Sequence, residues 1–345
     1  MSLAQAIKTG DLAQLPSRRD EDWRWTDLRG LIREMPPASP EASPRAKAVL
    51  WQDLSTDLEV GVTNGRGPTD LDVAAGEQRL CMWRFLAASP ASSHASEFWV
   101  DVAEGASLTL VESYEGFEPD YLRQVSVNIR LAAGATLERI VVCMDEDSGV
   151  TVSTAQVVLS PGASLSQTVI TSGARRQRIE THVSHPGQGA AVRLDGLYIL
   201  TDRRHADITT VVTHEGVDGT TNQLVKGVVS GQARGVFQGR IVVAQGADKT
   251  DARMGHHALV LSDRAEVDAK PELEIYADDV ACAHGNTVGA IDEDALFYAM
   301  QRGLPEEAAK AMLTEAFVGE VIDRIEHEGA REVVRAWVAQ RLGAS

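Results

Sequence analysis

The pair Gly-Ala recurs through the middle of this 345-residue chain at an almost constant interval. Gly105-Ala106-Ser107-Leu108, Gly134-Ala135-Thr136-Leu137 and Gly162-Ala163-Ser164-Leu165 are spaced by 29 and 28 residues, and Gly189-Ala190-Ala191-Val192 follows after 27 more. Alternating apolar residues precede each pair (Val125, Val127 and Ile129; Val157 and Leu159), and a second alternating run follows it. Alternation of period two is the pattern of a strand. Glycine takes a positive φ without steric cost and so marks the turn. Strand, turn and strand at a fixed period predict a β-solenoid, in which each coil covers the open face of its neighbour. A β-sandwich, with turns every ~8 to 12 residues, is the competing arrangement. The regular recurrence of Gly-Ala favours stacked coils.

The flanks read differently. Up to residue 79, Ala4 to Leu15 reads as a short helix broken at Gly10-Asp11, and Glu21 to Ile32 as a second piece. Pro36, Pro37, Pro40 and Pro44 then impose a linker, since proline fixes φ and removes an amide donor. The solenoid is expected over 80–270 and a helical segment over 271–345. In the latter, Asp292 suits a helix N-cap and Gly303 its end, and Pro305 suits the first turn of the next helix. A last amphipathic helix is expected from Ala330 to Leu342. A solenoid exposes unpaired strand groups at its ends. The flanking helices, or a second solenoid, are the expected caps.

Composition narrows the function. The formal net charge of −17 repels phosphate backbones and argues against nucleic acid as partner. No apolar run approaches the ~18 residues that cross a bilayer, and the first ten residues lack a secretory pattern. A soluble cytoplasmic protein is expected, with no membrane partner. Cys81, Cys143 and Cys282 are far apart, so neither a disulfide framework nor a zinc ribbon is supported. Three thiols also fall short of the four that usually hold an iron–sulfur cluster.

Catalytic signatures are missing. There is no GxxxxGK[ST] loop, GxSxG elbow or HExxH helix. Gly231, Gly235 and Gly239 read as turns or bulges between strands. His182 and His185, three apart in an extended run, point to opposite faces, as do the neighbours His256 and His257. His205 and His214 are isolated in sequence. Asp195, Asp202 and Asp207 are not organised by the repeat, against a carbohydrate-active enzyme built on a solenoid. Cys282-Ala283-His284 remains. In an extended segment its thiol and imidazole share one face, both are ligand types suited to iron, and an imidazolium nearby would lower the thiol's pKa.

The residues around that pair resemble the signature of the SufB/SufD family. They run from Lys270-Pro271-Glu272-Leu273-Glu274-Ile275-Tyr276-Ala277-Asp278-Asp279-Val280 through Cys282, His284-Gly285 and Thr287-Val288-Gly289. The likeness continues into Asp292 to Tyr298 and Gln301-Arg302-Gly303. Upstream, Lys226-Gly227-Val228, Gly235 to Gly239, Lys249-Thr250-Asp251-Ala252 and Leu261 to Glu266 fit the same pattern. Glu21-Asp22-Trp23-Arg24-Trp25-Thr26-Asp27-Leu28 looks like the amino-terminal motif of the SufD branch. The strong likeness spans Lys226 to Ile325. One departure is Arg253-Met254-Gly255-His256-His257, where the family usually has a glutamine-rich stretch.

The resemblance implies a right-handed parallel β-helix flanked by amino- and carboxy-terminal helical domains. It implies pairing with a SufB-like protein through the β-helices and docking of a SufC-like ATPase on the carboxy-terminal helices. By that analogy Pro305, Phe317 and Val321 are the docking candidates. ATP belongs to the SufC-like partner, and no intrinsic cofactor is expected. His284, as tentative metal ligand, and Cys282 would stand at the interface, where a transient cluster shared with SufB is built. Gly285, where SufB proteins have Glu, and the low cysteine count point to the SufD side. The alternative is a purely structural subunit. An exposed β-helix edge is also compatible with a homodimer of the chain alone. Nothing in the residues speaks to a flavin.

Overall fold

The computed structural model describes residues 2–41, 49–185 and 187–343, so Pro44 of the predicted linker lies outside the described residues. Its body is a parallel β-solenoid. Strands run from β1 (Leu58–Thr63) and β2 (Asp70–Val73) to β16 (Glu266–Ile275) and β17 (Ala281–Gly289). Odd-numbered strands form one nine-stranded sheet in the order β1 to β17, and even-numbered strands form an eight-stranded sheet from β2 to β16. Every pairing joins a strand to the one a coil away, in parallel. Strand pairing therefore runs past residues 80 and 270 on both sides.

The Gly-Ala repeat has a direct physical cause. Gly105, Gly134, Gly162 and Gly189 all have φ between +64° and +66°. Their amides donate to carbonyls of the next coil (Gly105 to Ala133, Gly134 to Pro161), so the turns stack as a ladder. The following alanines, Ala106, Ala135, Ala163 and Ala190, are buried at the inner corner. Inward-facing residues such as Val127, Ile129, Leu137, Leu165, Val192 and Ile208 stack between the sheets. Each such aliphatic side chain contributes about 1.5–3 kcal/mol on burial, against ~0–1 for a surface ion pair. The core, not the many surface bridges, holds the coils together.

The helices lie on the sides of the solenoid rather than over its ends, contrary to the capping expectation. Helices α2 (Glu293–Gln301), α3 (Glu306–Ile322) and α4 (Glu328–Gly343) follow the last strand. Val318, Val321 and Ile322 of α3 and Val334, Trp337 and Val338 of α4 pack on the outward Val111, Ile140, Ile170, Leu197, Leu224 and Val228 of the odd sheet. Sheet strands covered on both faces read as near-continuous apolar runs, as in β11 (Ala191–Leu200). At the amino terminus, helix α1 spans only Leu3–Thr9, closed by Gly10 at φ +72°. The expected second helical piece is a single 3-10 turn, Glu21–Trp23, followed by irregular chain. Leu3, Leu15 and Leu28 cover Leu122, Val150 and Val152 on the even sheet.

A charge is buried where α3 meets the odd sheet. Asp195 of β11 is 3% exposed, with Arg324 Nε 3.1 Å and Arg193 Nε 3.5 Å from its Oδ2. Burial raises its pKa to about 6, although both guanidinium groups pull it down. A folded-state pKa above the unfolded value means that the stabilising contribution is present at low pH and lost as pH rises through about 6. Accordingly, Asp195→Asn is expected to flatten the stability profile between pH 5 and 7.5 by on the order of 2 kcal/mol. Urea denaturation at both pH values checks this; an unchanged pH dependence would show that Asp195 does not titrate there.

Candidate functional site at the open end

Among the described residues nothing covers the carboxy-terminal end of the solenoid. Strands β16 and β17 each pair on one side only, with β14 (Arg234–Val243) and β15 (Asp251–Val260) respectively. In β15 the inward residues Ala252, Met254, His256 and Ala258 are buried. Directly over them in register stand Cys282, His284, Asn286 and Val288. Over the inward Phe237 and Ile241 of β14 stand Ala269 and Leu273. These last-coil residues belong to the interior columns but have no further coil above them. Cys282 is half-buried and His284 exposed, while Val267, Leu273 and Cys282 still pack on the core below. Ile275, Tyr276, Val288 and Leu261 add exposed apolar surface at the same end. Such an edge offers both unpaired backbone groups and apolar area to a second protein.

Cys282 and His284 lie on one face of β17, as their spacing predicts, ~7 Å apart along the strand. Burial pushes the Cys282 thiol up, helped by the negative charge of Asp251, against a smaller lowering by the Ala252 backbone. The thiol is not activated by its own chain. Asn286 Oδ1, one step further along the row, accepts from His256 Nδ1 at 2.7 Å, and the other ring nitrogen of His256 is 2.9 Å from the Tyr198 hydroxyl. This chain, Tyr198–His256–Asn286, leads from the buried core to the open end and was not singled out by sequence, since its members are 58 and 30 residues apart. The half-buried His257 bonds instead to Thr287, on the other face. Among the described residues no group of three His, Cys, Asp or Glu side chains could hold a metal ion. Two donors at an open edge make half a site. A cluster held there, as cargo, needs the remaining ligands from a second chain.

The other site candidates separate. Pro305 caps α3 and is exposed, but Val321 is fully buried against the odd sheet. Phe317 is half-buried, with Lys226 Nζ 4.3 Å over its ring. The apolar stripe of α3 is thus used by the solenoid itself. The large apolar side chains left exposed on the α2–α3 hairpin, among the described residues, are Phe297, Tyr298, Met300 and Met312. Asp195 and Asp207 lie on different sheets, and Asp202 in a turn between them, so they form no carboxylate cluster.

The amino-terminal motif has a definite place. Arg178 lies over the Trp23 ring at 4.4 Å and donates to the Asp22 carbonyl at 2.6 Å, and Gln238 donates to the same carbonyl at 3.1 Å. Arg178 is held in turn by Asp207 at 2.9 Å. Lys270 of β16 reaches Glu21 at 2.8 Å. The segment is a strap across the even sheet that ends on the last strand of the open edge. No membrane-crossing helix is present among the described residues.

Comparison with known proteins agrees with this architecture. Residues 85–317 match the family described as SUF system FeS cluster assembly, SufBD core domain. The iron–sulfur cluster assembly protein SufD of Escherichia coli is 27% identical over 99% of this chain and 91% of its own length. A SufBD family protein of Mycobacterium leprae is 27% identical over 96% of this chain and 92% of its own. The chloroplastic protein ABCI7 of Arabidopsis thaliana is 32% identical, over 48% of this chain and 35% of its own length. The solenoid with its open end, and a match that covers most of its coils, lead to one conclusion: this chain belongs to the SufB/SufD family of iron–sulfur cluster assembly proteins and is most like SufD.

Proposed function

We propose that this chain is a non-enzymatic subunit that pairs through its open end with a SufB-like protein. In this reading it carries a SufC-like ATPase on the α2–α3 hairpin and offers His284, with Cys282 beside it, to a cluster assembled at the paired edge. The observation that carries the reading is the uncovered last coil, whose interior row ends in these two ligand-type side chains. The exposed Phe297, Tyr298, Met300 and Met312 supply the apolar surface that an ATPase subunit would cover. ATP would act through that partner, and only by binding one arrangement of the assembly better than another. A purely structural role is the second reading, favoured by the raised thiol pKa of Cys282 and by the lack of a third donor among the described residues.

Co-purification with the SufB-like and SufC-like partners, followed by anaerobic reconstitution with iron and sulfide, separates the two readings. His284→Ala is expected to assemble normally and to lower cluster yield by about 10- to 100-fold, the scale on which ligand-sphere changes act. Equal yield from variant and wild type would leave only the structural reading. Failure to co-purify would overturn the pairing.

A further inference from the structure

The hydrogen-bonded chain from Tyr198 to Asn286 is more than packing requires. The four positions beneath His256 in its interior column are Val225, Gly196, Val169 and Val141. A fully buried imidazole follows them in the coil next to the open end. Its partner Tyr198 comes from the neighbouring column, two coils down, and needs room to reach it. Gly227 of β13 (Thr220–Val229) stands directly over Tyr198, and a Cβ there would lie 2.0 Å from the ring. A Cβ on Gly235 of β14 would lie 2.4 Å from it. Neither glycine has a positive φ, so space rather than backbone calls for them. The ring fills that slot and carries its hydroxyl to His256 Nε2 at 2.9 Å. Phe237 holds the imidazole from the side, its ring stacked at 4.9 Å and 11°.

The chain has one direction. Burial pushes the Tyr198 hydroxyl up, so it stays protonated, and lowers the pKa of His256 to about 4, so that ring is neutral at pH 7. A neutral imidazole has one donor and one acceptor nitrogen. Asn286 Oδ1 only accepts, so the proton is on Nδ1, and Nε2 accepts from Tyr198. With its oxygen held in this way the exposed Asn286 amide is fixed in rotation. Its Nδ2, with two N–H donors, has no partner among the described residues. That amide stands next to His284 in the interior row, ~7 Å away along β17. A neutral amide is not among the usual ligands of an iron–sulfur cluster, but hydrogen bonds to the cluster's sulfurs help to set its reduction potential.

We propose that Asn286 donates its amide N–H groups to a sulfide of the cluster bound at His284, with Tyr198 and His256 as the positioning residues that orient it. This role depends on the proposed ligation by His284. Thiolate and imidazole supply ligands on this row, and Asn286 supplies the donor that stabilises the charge on sulfide.

Two measurements test it. In the isolated chain, nitrogen NMR of isotope-labelled histidine should show His256 as the Nδ1-protonated tautomer at pH 7. An Nε2-protonated ring would turn the Asn286 amide round and overturns the proposal. In the reconstituted complex with the SufB-like and SufC-like partners, Asn286→Ala should keep the cluster and shift its reduction equilibrium about tenfold towards the oxidised form, ~59 mV lower for one electron. Loss of one hydrogen bond to a charged group is of this size. Tyr198→Phe keeps the ring in its slot, two coils below the edge, and should shift the midpoint in the same direction by a smaller factor. An unchanged midpoint in Asn286→Ala overturns the donor role, and weaker pairing at an unchanged midpoint assigns the amide to the partner instead. A cluster that survives His284→Ala overturns the ligation itself, so the two failures are told apart.

Discussion

Replacing Glu112 by alanine is expected to be the most destabilising single change in the solenoid. Glu112 and Arg139 are buried among the inward columns, paired by two bonds of 2.6 and 2.8 Å. Arg139 also donates to Gln167 at 2.8 Å, and Gln167 to Thr181 at 2.9 Å, so the ladder crosses from one sheet to the other. Pairing permits these charges inside a dry core, because an isolated buried charge is far more costly. Glu112→Ala leaves the guanidinium unpaired and should cost about 3–5 kcal/mol, lowering the melting midpoint by roughly 5–10 °C. The double variant Glu112→Leu with Arg139→Met should recover most of that loss, since apolar side chains of similar volume replace such pairs with little penalty. If the double variant melts as low as the single one, the unpaired charge is not the cause.

Leu273→Glu is expected to abolish pairing at the open end while sparing the fold. Leu273 stands over Ile241 in the last even strand and is only half-buried, because no coil follows it. In the isolated chain a glutamate there can turn to solvent, at a cost of less than about 1 kcal/mol. Under a partner's strand it would be an unpaired charge at the centre of an apolar contact. Losses at such positions run to about 2–4 kcal/mol, roughly 30- to 1,000-fold in dissociation constant. Sedimentation of the variant with the SufB-like partner measures this. Wild-type affinity from Leu273→Glu would move the contact away from the last coil.

The repeat was legible where turn chemistry demanded particular residues. Four coils need a positive φ followed by a small corner residue, and Gly-Ala satisfies both. Later coils meet the same demand with Asp218-Gly219 and Lys249-Thr250, where Asp218 and Lys249 adopt φ of 58° and 60°. That substitution hid the last coils from a search for Gly-Ala. The side on which the helices pack was not legible, because helical spacing shows that α3 has an apolar stripe but not what covers it. Val321 therefore reads as a docking anchor in sequence and is core in the structure. The strap from Glu21 was obscured for another reason. Its hold depends on the backbone carbonyls of Asp22 and Trp25, accepting from Arg178 and facing His205, and carbonyls carry no residue-type signal. The interior ladder had a faint trace, since Glu112, Arg139 and Gln167 are spaced by 27 and 28 residues, close to one coil. Cys282 and His284 were legible as neighbours on one face. Only the register over Ala252 and Met254 shows that this face is the solenoid's unfinished interior.

In the proposed pairing, the last coil is where a second protein completes this one. Amide hydrogen exchange of the chain, alone and with the SufB-like partner, tests it residue by residue. New protection is expected to concentrate in β16 and β17, residues 266–289, whose outer backbone groups have no strand beside them among the described residues. Unchanged exchange there, with protection elsewhere on the chain, would contradict it.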